Sequence, residues 1–290
     1  MNPMKEVKNL LNAINVIDRI SDKEWKSQLN ERKMKELEFH DRDRDETIFK
    51  DTIENDTYEK FYGNQKYYNA TDRSREFVQR WIEINSKGKV FLDYACGNGS
   101  NARKAAKSSA LISLGFDISG LSVKNAIEMS KNENIPLNQK NGVCFFQADA
   151  ENTKLPDSCI DTIICSGMLH HLDLSHAFPE LRRILKPGGK ILAIEALDYN
   201  PAIKLYRMLT PDMRTDWEKA HILSFKDLKF AERFFTVQNI KYWHVLGYIG
   251  GKVPFLLSVL DSLDIVLEKI PYLQRMAWIF TFELRKNSNV

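Results

Sequence analysis

Several features that would signal particular classes of protein are missing from this chain of 290 residues. Its four cysteines form no C-x-x-C pair, and no histidine lies beside them at a zinc-like spacing. We therefore expect no metal site and no disulfide framework. Basic residues exceed acidic residues only by 42 to 39, an excess too small to indicate binding to nucleic acids.

The sequence also lacks a long hydrophobic run. The first twenty residues carry charges throughout and have no apolar core of the kind found in signal peptides. Residues 253–280 are the most apolar part, but acidic side chains interrupt them, and we expect no transmembrane segment. The spacing there predicts an amphipathic helix that gathers its large aliphatic side chains on one face: Leu256, Leu260, Leu263, Leu267 and Ile270. We expect a cytoplasmic protein, and peripheral contact with a membrane stays open.

The chain divides by composition into an N-terminal extension and a main domain. Residues 1–70 are polar and charge-dense, with helical spacing, and we expect a helical cap. The run "RKMKELEFHDRDRDE" within them is interpreted as a solvated helix face or loop. From Thr71, a candidate N-cap, the pattern predicts an amphipathic helix with Phe77, Trp81 and Ile84 on one side.

The main domain, residues 71–290, alternates short apolar runs with helical stretches. The runs predict strands at Val90–Asp93, Leu111–Phe116, Val143–Gln147, Asp161–Cys165 and Lys190–Ala196. Such alternation indicates an α/β fold, a parallel sheet with helices on both faces. Two further strands are expected in "TVQNIKYWHVLGY" and "RMAWIFTFELRK". Insertions near residues 197–223 and 247–274 are candidate lids, since ligands of open α/β sheets bind beyond the carboxyl ends of the strands.

The stretch "FLDYACGNGSNA", residues 91–102, allows two ligands. Gly97-x-Gly99-x-x-Ala102 fits the phosphate-binding turn of dinucleotide enzymes, and Asp117 lies twenty residues beyond Gly97. Asp93, however, places a carboxylate just before the turn, where it would repel a pyrophosphate and attract an amino group. S-adenosylmethionine carries an amino group and a sulfonium and has no phosphate.

Further motifs favour S-adenosylmethionine. "ADAENTKLPDSCIDTIICSGMLHHL", residues 148–172, together with "VFLDYACGNGSNA", "GFDIS" and "RILKPGGKILAIEAL", resembles the class I S-adenosylmethionine-dependent methyltransferases. Within that class the likeness is to the small-molecule group that includes the ubiquinone and menaquinone methylases. It covers roughly residues 75–200 and implies a Rossmann-like sheet of seven strands, mostly parallel, with an antiparallel last strand.

The resemblance also implies where the cofactor lies. Asp93, Gly97 and Gly99 would line its methionine end, with the backbone of Ala95, Cys96 and Ser166 close by. Asp117 would bind the ribose hydroxyls, and Ile118 would pack on the adenine. Asp149 would accept from the adenine amino group, with Ala150 beside it. Ala95 replaces the first glycine of the family pattern, so we expect a nearly conventional backbone there. The product would be S-adenosylhomocysteine.

The acceptor is expected to be a small, partly hydrophobic molecule, with oxygen favoured over nitrogen or carbon. His170 and His171 follow the fourth strand and are candidate bases, as is His221 in the first lid. His40 and Tyr68 are further candidates, if the N-terminal segment covers the cofactor. No N/D-P-P-Y element follows the fourth strand, and Cys165 lacks the context of a nucleophile, so a nucleic-acid substrate is not expected. Two alternatives stay open: a non-catalytic module that docks through residues 253–270, and an NAD oxidoreductase.

Overall fold

The structure, a computed structural model, describes residues 3–44 and 65–287. Three helices form the described N-terminal part, α1 (Pro3–Ile17), α2 (Asp22–Gln28) and α3 (Glu31–Arg44). A short helix, α4 (Gln65–Tyr68), precedes α5 (Asp72–Ser86), which leads into the sheet. The division into a cap and a main domain stays a prediction, and part of the predicted cap lies outside the described residues.

A seven-stranded sheet forms the centre of the molecule. Its strands are β1 (Val90–Tyr94), β2 (Ile112–Asp117), β3 (Val143–Gln147), β4 (Ile160–Ser166), β5 (Leu185–Ala196), β6 (Thr236–Trp243) and β7 (Ile279–Arg285). They are ordered β3-β2-β1-β4-β5-β7-β6. The pairs among β1 to β5 are parallel, and β7 runs antiparallel to both β5 and β6. The predicted fold class is therefore confirmed, including the reversed last strand.

Helices cover the two faces of this sheet. The crossovers are α6 (Ser100–Lys107), α7 (Gly120–Asn132) and α8 (Leu174–Ile184), and α11 (Phe225–Ala231) precedes β6. Every residue of β1 and β2 is buried, because a central parallel strand is covered on both sides. This explains why these strands read as continuous apolar runs.

The two candidate lids both contain helical structure. The first holds α9 (Pro201–Leu209), a 3₁₀ turn at Pro211–Met213 and α10 (Asp216–Ala220). The second holds 3₁₀ turns at Gly247–Gly251, Pro254–Leu256 and Leu273–Met276 around α12 (Leu257–Leu267). Within the described ranges, no helix is long and apolar enough to cross a bilayer.

One prediction about a helix face is wrong in part. On α5 Trp81 is buried and Phe77 packs against the same cluster as predicted, but Ile84 is 70% exposed, and the buried aliphatic side chains are Val78 and Ile82. The predicted amphipathic helix within residues 256–270 is present as α12, with Leu256, Leu263 and Ile270 exposed and Asp264 as its buried residue. In both helices the contacts with neighbouring elements decide which side is buried, and the sequence spacing alone does not reveal them.

Candidate active site

The glycine turn and two buried carboxylates meet at the carboxyl ends of β1 and β2. These strands are paired, with Asp93 opposite Gly115. The Gly97 amide donates to Oδ2 of Asp117 at 2.8 Å, and the Ala102 amide donates to Oδ2 of Asp93 at 3.1 Å. Burial raises the pKa of Asp93 to about 7, although hydrogen bonds from Asn101 and Ala102 oppose the shift. A carboxylate with so little solvent is suited to receive a cationic group.

The backbone at Ala95 corrects an expectation. Its φ is +53°, in the left-handed region that costs a residue with a Cβ about 1–2 kcal/mol. The turn is therefore not conventional at Ala95. It keeps the shape that glycine would favour, and the methyl group is accommodated under strain.

Gly99 has a packing role in the structure. It has a φ of +73°, and a Cβ there would lie 2.4 Å from Cε1 of Phe145. Gly99 is not among the residues that line the neighbouring cavity. Its position indicates that the missing side chain lets α6 approach β3 closely.

A cavity of about 500 Å³ lies over this edge of the sheet. The other nine residues implied to bind the cofactor all line it: Asp93, Ala95, Cys96, Gly97, Asp117, Ile118, Asp149, Ala150 and Ser166. Their motifs are separated along the chain, and the parallel sheet brings them together because the carboxyl ends of its strands meet at one edge. Their individual roles toward a ligand stay predictions.

The N-terminal helix α3 closes one side of this cavity. Lys33 Nζ lies 2.6 Å from Oδ2 of Asp149 and 2.9 Å from Oε2 of Glu151, and Arg32 pairs with Glu151 at 2.5 Å. Burial alone would lower the pKa of Lys33, but its two carboxylate partners raise it. The interpretation of this charged run as a solvated face is wrong for these residues and for Glu36, which is buried. Nothing in the local spacing marks which charges of the run face inward.

His171 is held by the same helix. Its Nδ1 lies 2.9 Å from Oε2 of Glu36, and its ring packs edge-on against His40. Burial alone would lower the pKa of His171, but the bond with Glu36 and the nearby charge of Glu218 raise it. His171 is thus biased toward its charged form, which is a poor starting state for a base.

His170 is oriented by an acid that the sequence reasoning missed. Its Nδ1 lies 2.7 Å from Oε2 of Glu195, whose side chain is fully buried. The other oxygen of Glu195 accepts the backbone N–H groups of Met168 and Leu169 at 2.9 and 2.8 Å. In the tautomer that donates from Nδ1 to Glu195, the lone pair is on Nε2, which lies 4.0 Å from Oε1 of Glu218. The sequence does contain a signal for Glu195, because it is a lone acid near the end of the apolar strand "ILAIEAL".

His221 lies away from these groups. Its ring stacks on Trp217 at a centroid distance of 3.7 Å, and its Nδ1 lies 2.7 Å from the Trp217 carbonyl. It borders a separate cavity of about 590 Å³ and is not among the residues around the glycine turn. The structure gives no support to His221 as a base.

Cys165 is fully buried in β4. Burial raises the pKa of its thiol well above the ordinary value, so it is an inert packing residue. The four cysteines are all free thiols.

Ligand atoms of Glu36, His40 and His171 lie within 4.8 Å of one another, as do those of His170, His171 and Glu218. Histidine nitrogens and carboxylate oxygens are zinc ligands in proteins. The spacing of these residues in the sequence does not show that their side chains lie close together.

Two more cavities adjoin the first. One of about 870 Å³ shares Ser166, Gly167 and His171 with it and also reaches Tyr68. A third, of about 340 Å³, shares His170 and Glu218 with the second and is lined by mostly apolar or aromatic side chains, among them Ile203, Tyr206, Tyr248, Ile249 and Trp278. His170 therefore stands where the second and third cavities meet.

The first cavity fits S-adenosylmethionine on three counts. Asp93 offers a desolvated carboxylate for the amino group, Asp117 lies at the end of the neighbouring strand for the ribose, and Asp149 lies beyond the next strand for the adenine. The three acids thus follow the order of the strands β1, β2 and β3 across the sheet. The same three acids would oppose the two phosphates of NAD.

Comparisons with known proteins agree with this geometry. Residues 92–193 match the family model described as a methyltransferase domain. The chain is 30% identical over 123 residues to 27-O-demethylrifamycin SV methyltransferase from Amycolatopsis mediterranei, with 42% of this chain and 43% of that protein aligned. It is 34% identical over 127 residues to a ubiquinone/menaquinone biosynthesis C-methyltransferase from Rickettsia akari, with 41% and 48% aligned. The chain thus spans less than half the length of these relatives.

Solved structures share the fold. Magnesium protoporphyrin IX methyltransferase from Synechocystis, crystallised with S-adenosylhomocysteine, aligns over 84% of this chain and 94% of its own, with a TM-score of 0.53 at 17% identity. Geranyl diphosphate C-methyltransferase from Streptomyces coelicolor aligns over 74% and 80%, with a TM-score of 0.54 at 15% identity. Motifs, fold and matches agree: residues 92–193 match a methyltransferase domain, and the sheet has the Rossmann-like fold of S-adenosylmethionine-dependent methyltransferases.

Proposed function

We propose that this protein transfers a methyl group to an oxygen of a small, partly hydrophobic molecule, with His170 as the general base. When bound, S-adenosylmethionine supplies the electrophilic methyl group on its sulfonium. The observation that carries the proposal is the pair formed by His170 and Glu195 at the end of the fourth and fifth strands, 2.7 Å apart.

The pair has the arrangement that a base for a hydroxyl group needs. Glu195 fixes the ring through Nδ1, so Nε2, 4.0 Å from Oε1 of Glu218, is the nitrogen that would accept a proton. As the imidazole becomes charged, the buried carboxylate stabilises it. Alcohols and phenols hold their protons tightly and benefit from such a base, whereas a neutral amine does not need one.

The third cavity supports a partly hydrophobic acceptor. Its volume of about 340 Å³ lies at the lower end of the range for small-molecule sites, and its lining is of the kind found in such sites. The named acceptors of related proteins point the same way, since one relative is a sterol 24-C-methyltransferase from Aspergillus fumigatus, 26% identical over 131 residues, with 45% of this chain and 33% of that protein aligned. We place the two lids, 197–223 and 247–274, around this cavity.

The test combines binding with turnover. Isothermal titration with S-adenosylmethionine and with NAD checks the cofactor. Formation of S-adenosylhomocysteine is then followed with a panel of phenols, aliphatic alcohols and amines of graded hydrophobicity. We expect turnover with a hydroxyl acceptor, and His170→Gln to lower kcat by about 10²–10⁴-fold while the Kd of S-adenosylmethionine is unchanged.

A matched variant separates the base from other histidines. His221→Gln removes a histidine that the structure places elsewhere, and it should leave kcat unchanged. Turnover of amines alone, or full activity in His170→Gln, would refute the assignment of oxygen and of the base. Binding of S-adenosylmethionine with no turnover of any acceptor would favour a non-catalytic module.

A further inference from the structure

The second lid turns its apolar side outward. Val259, Leu263, Val266 and Ile270 follow one another at three- and four-residue steps on α12 and beyond it, and all are exposed. Flanking residues extend this surface, with Phe255 82% and Tyr272 73% exposed. We call these residues, with Leu256, Ile265 and Leu273, the outer face: Phe255, Leu256, Val259, Leu263, Ile265, Val266, Ile270, Tyr272 and Leu273. A contiguous apolar surface of this kind marks an interaction site.

The acids of the same segment point the other way. Asp264 is buried and accepts the amides of Leu246 and Gly247, each at 2.8 Å. Glu268 pairs with Arg73 at 2.7 Å and accepts the His244 amide. These bonds fix the orientation of α12 against the end of β6, so the outer face is held in place by the fold.

The exposed charges of the segment have one sign. Residues 247–276, all described, contain three exposed charged side chains, Lys252, Lys269 and Arg275, and no exposed acid. Arg275 also lies 5.1 Å from the ring centroid of Tyr272. An apolar face with a basic rim and aromatic side chains is the composition of elements that lie in a membrane interface.

The first lid also exposes apolar side chains. Leu205, Met208 and Leu209 of α9 are exposed. The third cavity lies between α9 and the turn at 247–251, since Ile203 and Ile249 both line it, and it extends inward to His170. Ile249 and Lys252 line this cavity, so the lid that carries the outer face also borders the cavity that would take the hydrophobic part of an acceptor.

We propose that the outer face docks on the surface of an anionic lipid bilayer, with Lys252, Lys269 and Arg275 facing the lipid headgroups. Bilayer charge matches the basic rim, and each basic side chain near such a surface contributes about 1 kcal/mol. If a second copy of this chain docked on the outer face, the two basic rims would lie close together and repel each other. A dimer through this face is therefore disfavoured. Docking would let a membrane-dissolved acceptor enter between the lids. This last step rests on the proposed function, whereas docking itself does not.

Vesicle flotation of the full chain tests docking without any measurement of turnover. The probes are vesicles of phosphatidylcholine alone and of phosphatidylcholine mixed equally with phosphatidylglycerol. We expect binding to the anionic vesicles and little to the neutral ones. Phe255→Gln/Val259→Gln should weaken partitioning at least about tenfold. Lys252→Gln/Lys269→Gln should weaken it roughly 25-fold at low salt and leave the weak binding to neutral vesicles unchanged.

The control variant is Ile84→Gln, since Ile84 is equally exposed but lies on α5 outside the outer face. It should bind vesicles like the parent protein. Circular dichroism and thermal unfolding establish that each variant is folded. Equal binding of all folded variants, or no binding by the parent, would overturn the proposal. So would a dimer in light scattering that Phe255→Gln/Val259→Gln converts to a monomer, because the face would then belong to a second copy.

Discussion

The affinity for S-adenosylmethionine should rise with pH because of Asp93. Its carboxyl group is buried, and its pKa is raised to about 7. Near neutral pH the free protein is therefore a mixture of protonated and ionised Asp93. Only the ionised form attracts a cationic amino group, and that group in turn stabilises the charge.

The size of the effect follows from the linkage between protonation and binding. With a pKa of about 7, roughly one molecule in eleven is ionised at pH 6 and about ten in eleven at pH 8. The Kd should fall about tenfold over this interval, which corresponds to about 1.4 kcal/mol. Above pH 8 it should level off, because the carboxyl group is then fully ionised.

Isothermal titration at pH 6, 7 and 8 measures this dependence. At pH 7, titration in two buffers of different ionisation enthalpy should reveal release of roughly half a proton per cofactor bound. Asp93→Asn keeps an acceptor for the Ala102 amide and should bind more weakly with little dependence on pH. His171→Asn is a needed control, since the pKa of His171 is also raised. A full pH dependence that survives in Asp93→Asn would refute the reasoning.

Three further predictions concern the turn and the helix that covers it. Ala95→Gly should relieve left-handed strain and stabilise the protein by about 1 kcal/mol in urea unfolding, and a loss of stability would contradict this. Gly99→Ala should destabilise it by about 2–4 kcal/mol in the same assay, because the new Cβ would meet Phe145 at 2.4 Å; a change below about 0.5 kcal/mol would contradict the close approach. Glu36→Gln should weaken the bonds to His171 and Thr215 and lower the free energy of unfolding by about 1–3 kcal/mol. It should speed trypsin cleavage within α3, and an unchanged cleavage rate would mean that Glu36 does not hold this helix.

Much of the sheet could be predicted because its strands are buried on both faces. The strand at Val143–Gln147 has the predicted bounds, β1 ends one residue later than predicted, and β2 and β4 differ by one residue at each end. The start of β5 was misplaced by five residues, because Lys186 and the glycines that follow read as a turn. The residues at the cofactor edge of the sheet could also be predicted from the sequence, since each strand end carries its own motif and the topology brings those ends together.

What could not be predicted depends on contacts between distant parts of the chain. The three acids of the second lid interrupt its apolar spacing, and the usual rule places such charges in solvent. Here Asp264 is bound by two backbone amides and Glu268 by Arg73, so these two acids are satisfied inside and the aliphatic residues turn outward. Only the partners at Leu246, Gly247 and Arg73 decide the orientation, and they lie 17 to 195 residues away.

The helix α3 shows the same principle at the active site. Its charged residues have high helix propensity whether they face solvent or form buried ion pairs. The composition of α3 therefore does not show which side of the helix is buried. Their partners are Asp149, Glu151 and His171, which become neighbours only after the sheet has formed. Lys33 bonds Asp149, the carboxylate that the resemblance implies for the adenine amino group, so the cofactor and α3 would share one acceptor. The N-terminal part thus contacts the predicted cofactor site through Asp149, although the family match begins only at residue 92.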